Sequence, residues 1–140
     1  MKIYLSSVLT ALVLFFAPIK GIILIVALAT IIDTCFGVWK SIKLKEPVTS
    51  KIFRNGLVPK LLSYIVVVML VYASDVLIIN ALTISVVSVK FISTKIISLI
   101  LLSIEVKSID ESFVKVKGYS FIDKFKLIIN KLKDIKKELR

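Results

Sequence analysis

An acidic residue inside a long apolar segment is the feature that most constrains this chain. The segment Gly21–Trp39, GIILIVALATIIDTCFGVW, contains nineteen residues and one acid, Asp33. An α-helix rises about 1.5 Å per residue, so this length crosses the roughly 30 Å hydrocarbon core of a bilayer. A carboxylate there costs about 2.5–3.5 kcal/mol on insertion scales, which makes Asp33 a functional candidate. The alternative is a buried helix of a soluble protein, but the other segments are equally apolar.

The composition favours the membrane interpretation. Hydrophobic residues make up 58% of the 140 residues, and mean hydropathy is +0.98, whereas soluble domains are about 45–50% apolar. The net charge is +11, from 20 basic and 9 acidic residues. In a membrane protein such an excess indicates topology and contact with anionic lipid. Nucleic-acid binding is not expected, because the basic residues lie at segment ends and not on an aromatic-rich face.

The sequence contains no recognisable catalytic constellation. It has no His and a single Cys, Cys35, so neither an intrachain disulfide nor a cluster of metal ligands is expected. The sequence contains no Gly-rich phosphate loop, and no Ser or Cys has an evident activating partner. We therefore predict no enzymatic activity, no cofactor and no metal.

The first apolar run, Ile3–Ile19, follows a single lysine and resembles the apolar region of a signal peptide. No A-x-A cleavage pattern ends this run and another apolar run follows at once, so a retained helix is favoured over a cleaved one. Pro18, Lys20 and Gly21 predict a tight turn. The first two helices would then form a hairpin across the bilayer.

A basic connection separates these runs from the next one. The stretch Lys40–Lys60 contains six basic residues and one acid, Glu46, which predicts a cytoplasmic loop by the positive-inside rule. Leu61–Ile79 is the next predicted span. Within it, a helical spacing relates Tyr64, Val68, Tyr72 and Asp75 or Val76. Asp75 is expected near the outer interface, where a charge costs less than at the midplane.

The fourth predicted span is weaker than the others. We expect Asn80 at the outer turn and a helix over about Ala81–Ile104. Lys90 and Lys95 interrupt its apolar surface, so they must extend to the interface, face the bundle or pair with an acid such as Asp75 or Asp33. The alternative is an interfacial or partly re-entrant segment.

The last part of the chain is rich in charge. Ser120 and Asp123 form an approximate capping box at the start of a predicted helix. Lysines flank the apolar seam of this helix, which consists of Phe121, Phe125, Ile128, Leu132, Ile135 and Leu139. The seam extends over fewer than three heptads. Such a helix can lie on an anionic membrane surface or self-associate. The alternative is a solvated helix that packs on its own protein.

Together these patterns predict an all-α membrane protein. It would have about four transmembrane helices, or three and a re-entrant or interfacial segment, followed by a C-terminal amphipathic helix. Residues 1–104 would form the membrane domain and residues 105–140 a basic cytoplasmic tail. Both termini are predicted to be cytoplasmic, since this places most basic residues inside.

Small and polar residues share one face of the acid-bearing helix. They are Ala29, Thr30, Asp33, Thr34 and Gly37. Small residues let helix backbones approach closely, and Asp and Thr can form hydrogen bonds between helices. This face is predicted to pack either within the chain, in the hairpin, or between subunits of an oligomer.

The order of these motifs resembles the phage holin family of the toxin-secretion and phage-lysis type. That family has an apolar run with an Asp and a Thr-Gly-Val-like step, here IVALATIIDTCFGVWKSIK, then a basic loop and an apolar span ending in Asp, here VTSKIFRNGLVPKLLSYIVVVMLVYASD. After its last apolar segment the family has an acid, Ser-Ile and Glu-Asn. EVKSIDES supplies Glu105, Ser108, Ile109 and Glu111, with Ser112 in place of Asn. Gly118 and the last helix follow in order. Phe36 departs from the usual Thr.

The resemblance implies a small phage-encoded protein of the bacterial inner membrane. Such proteins accumulate as homo-oligomers, permeabilise the membrane at a set time, and so release or activate an endolysin. Two other classes stay open from the residues alone: a membrane adaptor or scaffold that binds a soluble partner through the basic tail, and a small ion channel that uses Asp33, Asp75 and Lys90 or Lys95.

Overall fold

The computed structural model describes residues 2–48, 50–79 and 89–138, and these are almost entirely helical. A single 3₁₀ turn, Ala17–Ile19, joins the first two helices, and a π-helical turn, Asp75–Ile79, ends the third. The described residues contain five α-helices, which are α1 (Lys2–Phe16), α2 (Lys20–Lys43), α3 (Ser50–Ser74), α4 (Ile92–Lys117) and α5 (Phe121–Glu138). The prediction of an all-α protein is confirmed.

The connection between α1 and α2 differs from the predicted hairpin. Backbone angles stay near the right-handed helical region through Phe16, Ile19 and Lys20, and helical structure runs without interruption from Ser6 to Lys43. Pro18 stands in the first turn of the 3₁₀ segment, where its missing N–H is not needed for a helical hydrogen bond. The chain therefore passes through a helical turn here and does not fold back tightly.

Helices α2, α3 and α4 form the bundle. Lys60 of α3 contacts both Asp33 of α2 and Glu105 of α4. Further along, Trp39 of α2 stacks on Phe113 of α4, so α2 and α4 run parallel. Asp75, which follows α3, contacts Thr94 near the start of α4, so α3 runs antiparallel to both. The C-terminal ends of α2 and α4 and the start of α3 therefore lie at one end of the bundle.

The predicted loop Lys40–Lys60 is mostly helical. Helix α2 continues to Lys43 and α3 begins at Ser50, so this prediction was wrong at both ends. Pro59 lies inside α3. Proline lacks the backbone N–H, but its carbonyl can still accept a hydrogen bond. It accepts a hydrogen bond from the Ser63 hydroxyl at 2.7 Å. Asn55, Gly56 and Pro59 therefore did not mark a loop, whereas Pro47 lies in the short connection between α2 and α3.

Helix α4 overlaps only part of the predicted fourth span. The predicted turn at Asn80 and residues 81–88 lie outside the described residues. Helix α4 begins at Ile92 and continues to Lys117, so it passes without a break through position 104, where the membrane domain was predicted to end. The division into residues 1–104 and 105–140 stays a prediction.

Two stretches of the described chain are long and apolar enough to cross a membrane. They are Ser6–Lys43 and Gly56–Ile79, and only 11% and 17% of their most apolar windows are buried within the chain. Helices that form the core of a soluble protein are mostly buried, and these are not. The number of spans beyond these two stays a prediction.

Candidate functional site

A single ammonium group joins the three bundle helices. Lys60 Nζ lies 2.8 Å from Asp33 Oδ2 and 2.8 Å from Glu105 Oε2. The Glu105 side chain is completely buried and that of Asp33 is 12% exposed, whereas that of Lys60 is 29% exposed. We call Asp33, Lys60 and Glu105 the charge cluster. Within it, Lys60 places a cation beside Asp33, the acid of the apolar segment.

The charge cluster contains one ammonium and two carboxylates, so it carries one net negative charge when both acids are ionised. A charge taken out of water is tolerated only when an opposite charge and hydrogen bonds replace its hydration. The ammonium of lysine has three donors, and here two of them serve carboxylates on different helices. The Tyr64 ring lies one turn along α3, 6.0 Å from Lys60 Nζ. Removing Lys60 would leave both acids without their cation.

A partly polar cavity of about 330 Å³ adjoins the charge cluster at the basic end of the bundle. Gly37 of α2 and Gly56 of α3 both line it, and a Cβ atom built on either glycine meets no atom within 4 Å. These glycines therefore do not mediate a close helix contact within the chain. Hydroxyl groups on two helices also line the cavity, from Thr34, Ser41, Ser108 and Ser112.

Asp75 caps the start of α4. Its Oδ2 accepts hydrogen bonds from the Thr94 backbone N–H at 2.7 Å and from the Thr94 hydroxyl at 2.6 Å. The first N–H groups of a helix have no partner within it, and a carboxylate there is also favoured by the helix dipole. Asp75 is completely buried. This acid therefore has a structural role between α3 and α4.

Asp110 caps the start of α5 in the same way. Its Oδ1 accepts a hydrogen bond from the Phe121 N–H at 2.9 Å, and its Oδ2 accepts one from the Ser120 hydroxyl at 2.7 Å. Ser120 Oγ in turn accepts a hydrogen bond from the Asp123 N–H at 3.0 Å. The N-terminal cap that the sequence predicted at Ser120 is thus present, and a buried acid of the preceding helix supports it.

The predicted face of α2 is occupied unevenly within the chain. Thr30 has no exposed surface, and its hydroxyl donates to the Val26 carbonyl at 3.0 Å. Thr34 donates in the same way to Thr30 at 2.9 Å, while Asp33 is held by Lys60. Ala29 is half-buried, and Gly37 faces the cavity. In this conformation only the Gly37 end of the face is open to another molecule, and a role in oligomerisation stays a prediction.

The predicted pairing of Lys90 or Lys95 with Asp75 or Asp33 is not observed. Lys90 and Lys95 are exposed, whereas Asp33 is paired with Lys60 and Asp75 with Thr94. Of the family motif after the last span, Glu105 is buried in the charge cluster, Ser108 lines the cavity and Ile109 is half-buried. Glu111 is exposed. The motif therefore spans the inner and outer faces of α4.

Three contributors were missed by the reading of the sequence: Lys60, Thr94 and Asp110. Lys60 was assigned to the loop, although the repeat Tyr64, Val68 and Tyr72 reaches it when it is extended back by four residues. Thr94 belongs to a similar repeat on α4, in which Thr94, Ser98, Leu101 and Glu105 are buried at steps of four, three and four residues. This spacing was the available signal for Lys60 and Thr94. Asp110 lies five residues after Glu105, outside the repeat, so the spacing does not indicate it.

The distribution of polar side chains defines the class of protein. Among the described residues, seven polar or charged side chains are buried and only five hydrophobic ones, while large apolar side chains line the outside of every helix. Outward apolar and inward polar surfaces are typical of helices surrounded by lipid. No group of three His, Cys, Asp or Glu residues in the described part of the chain could hold a metal ion. The fold is that of a small helical membrane protein with a buried charge cluster.

The chain belongs to the bacteriophage holin family, whose model matches residues 10–134. This range includes every residue of the charge cluster and both capping acids. No curated protein and no solved structure matches the chain.

Proposed function

We propose that this protein is a holin that assembles in the bacterial cytoplasmic membrane and permeabilises it, so that a phage endolysin is released or activated. The observation that carries the proposal is the family match together with the exposed apolar surface. Apolar side chains outside the bundle include Val13, Leu24 and Leu70, each more than 60% exposed. Such a surface must be covered by lipid or by other copies of the chain.

The basic end of the bundle supports a cytoplasmic position for that end. Lys40 and Lys43 lie in the last turn of α2, and Lys115 and Lys117 in the last turn of α4. Basic residues next to spans favour the cytoplasmic side. The C terminus, which follows α5, would then be cytoplasmic, and the end that holds Asp75 would face outward. The cytoplasmic N terminus stays a prediction.

Assembly is proposed to use the open end of the α2 face. Gly37 has free space around it, whereas Thr30 and Asp33 are engaged within the chain. A second helix can approach Gly37 and Gly56 without first breaking the charge cluster. The protein would act without enzymatic chemistry, through homo-oligomers in the bilayer.

Induced expression in a bacterium with reporters of graded size tests the function. A holin is expected to stop growth abruptly and to pass large molecules, including a co-expressed endolysin. A small channel would collapse the membrane potential gradually and pass only ions, and an adaptor would do neither. Either of the last two results would overturn the proposal.

The Asp33→Asn variant tests the charge cluster in the same assay. We expect altered lysis timing and altered cross-linked oligomers, because Lys60 then loses one of its two anions. The matched control is Asp123→Asn, which makes the same change at an acid of α5 whose side chain is 72% exposed. Unchanged timing and unchanged oligomers for Asp33→Asn would contradict a role of the cluster in assembly.

A further inference from the structure

Helix α5 leaves most of its apolar side chains uncovered. Its first turn is fixed on α4, since Asp110 caps it and the Phe121 ring packs on Phe113 at 5.9 Å. Beyond this turn, Phe125 is 63% exposed, Ile128 56% and Leu132 61%. Exposed apolar side chains that line up along one face indicate a surface that contacts another partner.

Charged residues are ordered around α5. At 100° per residue, the apolar side chains occupy an arc of about 140°, formed by Phe121, Ile122, Phe125, Ile128, Ile129, Leu132 and Ile135. Lys124 and Lys131 border this arc on one side, and Lys126 and Lys133 border it on the other. Asp123 and Asn130 lie opposite its centre. Two residues depart from this order by their positions in the sequence. Leu127 falls on the polar side, and Lys136 falls within the apolar arc.

This order fits an anionic lipid surface better than a second copy of the helix. Lysine at the border of an apolar face can lay its methylenes along that face and place its ammonium at the level of the phosphates. Because both borders are basic, two copies that packed through the apolar face would bring lysines together, and like charges at such borders oppose pairing. Anionic headgroups would neutralise both borders.

The place where α5 leaves the bundle is also suited to a membrane interface. Trp39 stacks on Phe113 at 6.0 Å, and Phe113 contacts Tyr119 at 5.4 Å. Trp and Tyr are enriched at the level of the headgroups. Lys124 Nζ lies 3.5 Å from the centre of the Tyr119 ring, and the lysines that end α2 and α4 lie at the same end of the bundle.

An apolar groove connects the outer surface of α4 to the apolar face of α5. Its volume is about 590 Å³, and Val106 of α4 lines it together with Phe121, Ile122, Phe125 and Ile128 of α5. Val106 is 44% exposed and lies two turns along α4 from Leu99, which is 63% exposed on the same side of the helix. Lys124 also lines the groove, so lipid that covers this side of α4 can continue onto the apolar face of α5 along its basic border.

We propose that α5 lies in the plane of the cytoplasmic leaflet and binds anionic phospholipid. Phe125, Ile128 and Leu132 would enter the boundary between headgroups and acyl chains. Lys124, Lys126, Lys131 and Lys133 would contact the phosphates. The proposal rests on the membrane location given above, but it does not depend on permeabilisation.

Spin labels on the full-length protein in lipid vesicles test this proposal. In a Cys35→Ser background, the Ile128→Cys and Asn130→Cys variants carry the label on opposite sides of α5. Accessibility to oxygen and to a water-soluble nickel complex is measured in vesicles of phosphatidylcholine with and without phosphatidylglycerol. We expect label 128 to be protected from nickel and label 130 to stay accessible when phosphatidylglycerol is present, with this contrast reduced in phosphatidylcholine alone or at high salt.

Replacement of the border lysines provides the second measurement. Changing Lys124, Lys126, Lys131 and Lys133 to Gln should weaken the affinity of α5 for phosphatidylglycerol by about fivefold for each lysine removed. The protection of label 128 by phosphatidylglycerol should be lost accordingly. The control changes Lys20, Lys90 and Lys95 to Gln, three exposed lysines that lie outside α5 and away from the basic end of the bundle. The contrast between labels 128 and 130 should persist in the control.

Three results would overturn the proposal. Equal accessibility of both labels to nickel in both lipids would show a solvated helix. Dipolar broadening between labels at position 128 would show a second copy on the apolar face. Equal protection of label 128 in both lipids and in the lysine variant would exclude recognition of anionic headgroups. None of these measurements requires lysis, so failure of the holin function would leave them interpretable.

Discussion

Lys60 and Glu105 are 45 residues apart in the chain, and the ammonium of the first lies 2.8 Å from the carboxylate of the second. Glu105 is completely buried, and the same ammonium also holds Asp33. One cation thus links α3 to both parallel helices of the bundle.

Replacing Lys60 should therefore loosen the bundle. Lys60→Met leaves two acids without a cation, and loss of one partner of a buried ion pair costs about 3–5 kcal/mol. The partial exposure of Lys60 favours the lower end of this range. Unfolding of the purified protein in detergent, followed by circular dichroism, measures the effect. Lys95→Met changes an exposed lysine of α4 and is the control, and equal stability of the two variants would contradict a structural role of the cluster.

A charge-neutral cluster should recover part of that loss. Combining Lys60→Met with Asp33→Asn and Glu105→Gln removes the cation and both anions together. Uncharged amides cost less to bury than unpaired carboxylates, so we expect the triple variant to be more stable than Lys60→Met alone. The same unfolding measurement gives the answer. A triple variant that is less stable would mean that the effect of Lys60 is one of packing and not of charge.

Loss of the Asp75 cap should affect α4 alone. Asp75→Ala removes the acceptor of both Thr94 hydrogen bonds, and loss of such a cap costs about 0.5–2 kcal/mol. Hydrogen exchange should become faster at the first amides of α4, from residue 92 to residue 95. The start of α5, which Asp110 caps, is the internal control. Faster exchange at both helix starts would indicate global loosening in place of a local cap.

The Asp110→Ala variant is the reciprocal experiment. The Phe121 N–H and the Ser120 hydroxyl lose their acceptor, so exchange should increase in the first turn of α5 and not at the start of α4. The orientation of α5 relative to α4 should also become less fixed, because this carboxylate bridges the two helices. Unchanged exchange at residues 121–123 would show that the Ser120 cap is sufficient without Asp110.

Substitution of Gly37 separates packing within the chain from packing between subunits. A methyl group at position 37 meets no atom within 4 Å, and Ala is favoured over Gly in a helix by about 1 kcal/mol. Gly37→Ala should therefore leave the monomer as stable or make it more stable. If subunits meet at this position, lysis timing and cross-linking should change nevertheless. Gly21→Ala, also without a close contact on the same helix, is the control, and identical behaviour of both variants would argue against an interface at Gly37.

The sequence by itself determined the features that depend on neighbouring residues. Apolar runs, helical repeats such as Tyr64, Val68 and Tyr72, and the cap at Ser120 are local patterns, because residues three or four apart meet on one helix face. The order of the motifs also sufficed to indicate the holin family. Turn residues such as Pro18 and Pro59 were less informative, since a proline in the first turn of a helix or within a long apolar one does not always end it.

Only the tertiary structure decided which distant groups meet. Three features depend on the register between helices. Lys60 pairs with both Asp33 and Glu105, Asp75 and Asp110 each cap the following helix, and Gly37 faces a cavity. Register is set by the packing of whole helix faces and by the connections between them. Helical periodicity places a residue on a face, but it does not say which residue of another helix lies opposite.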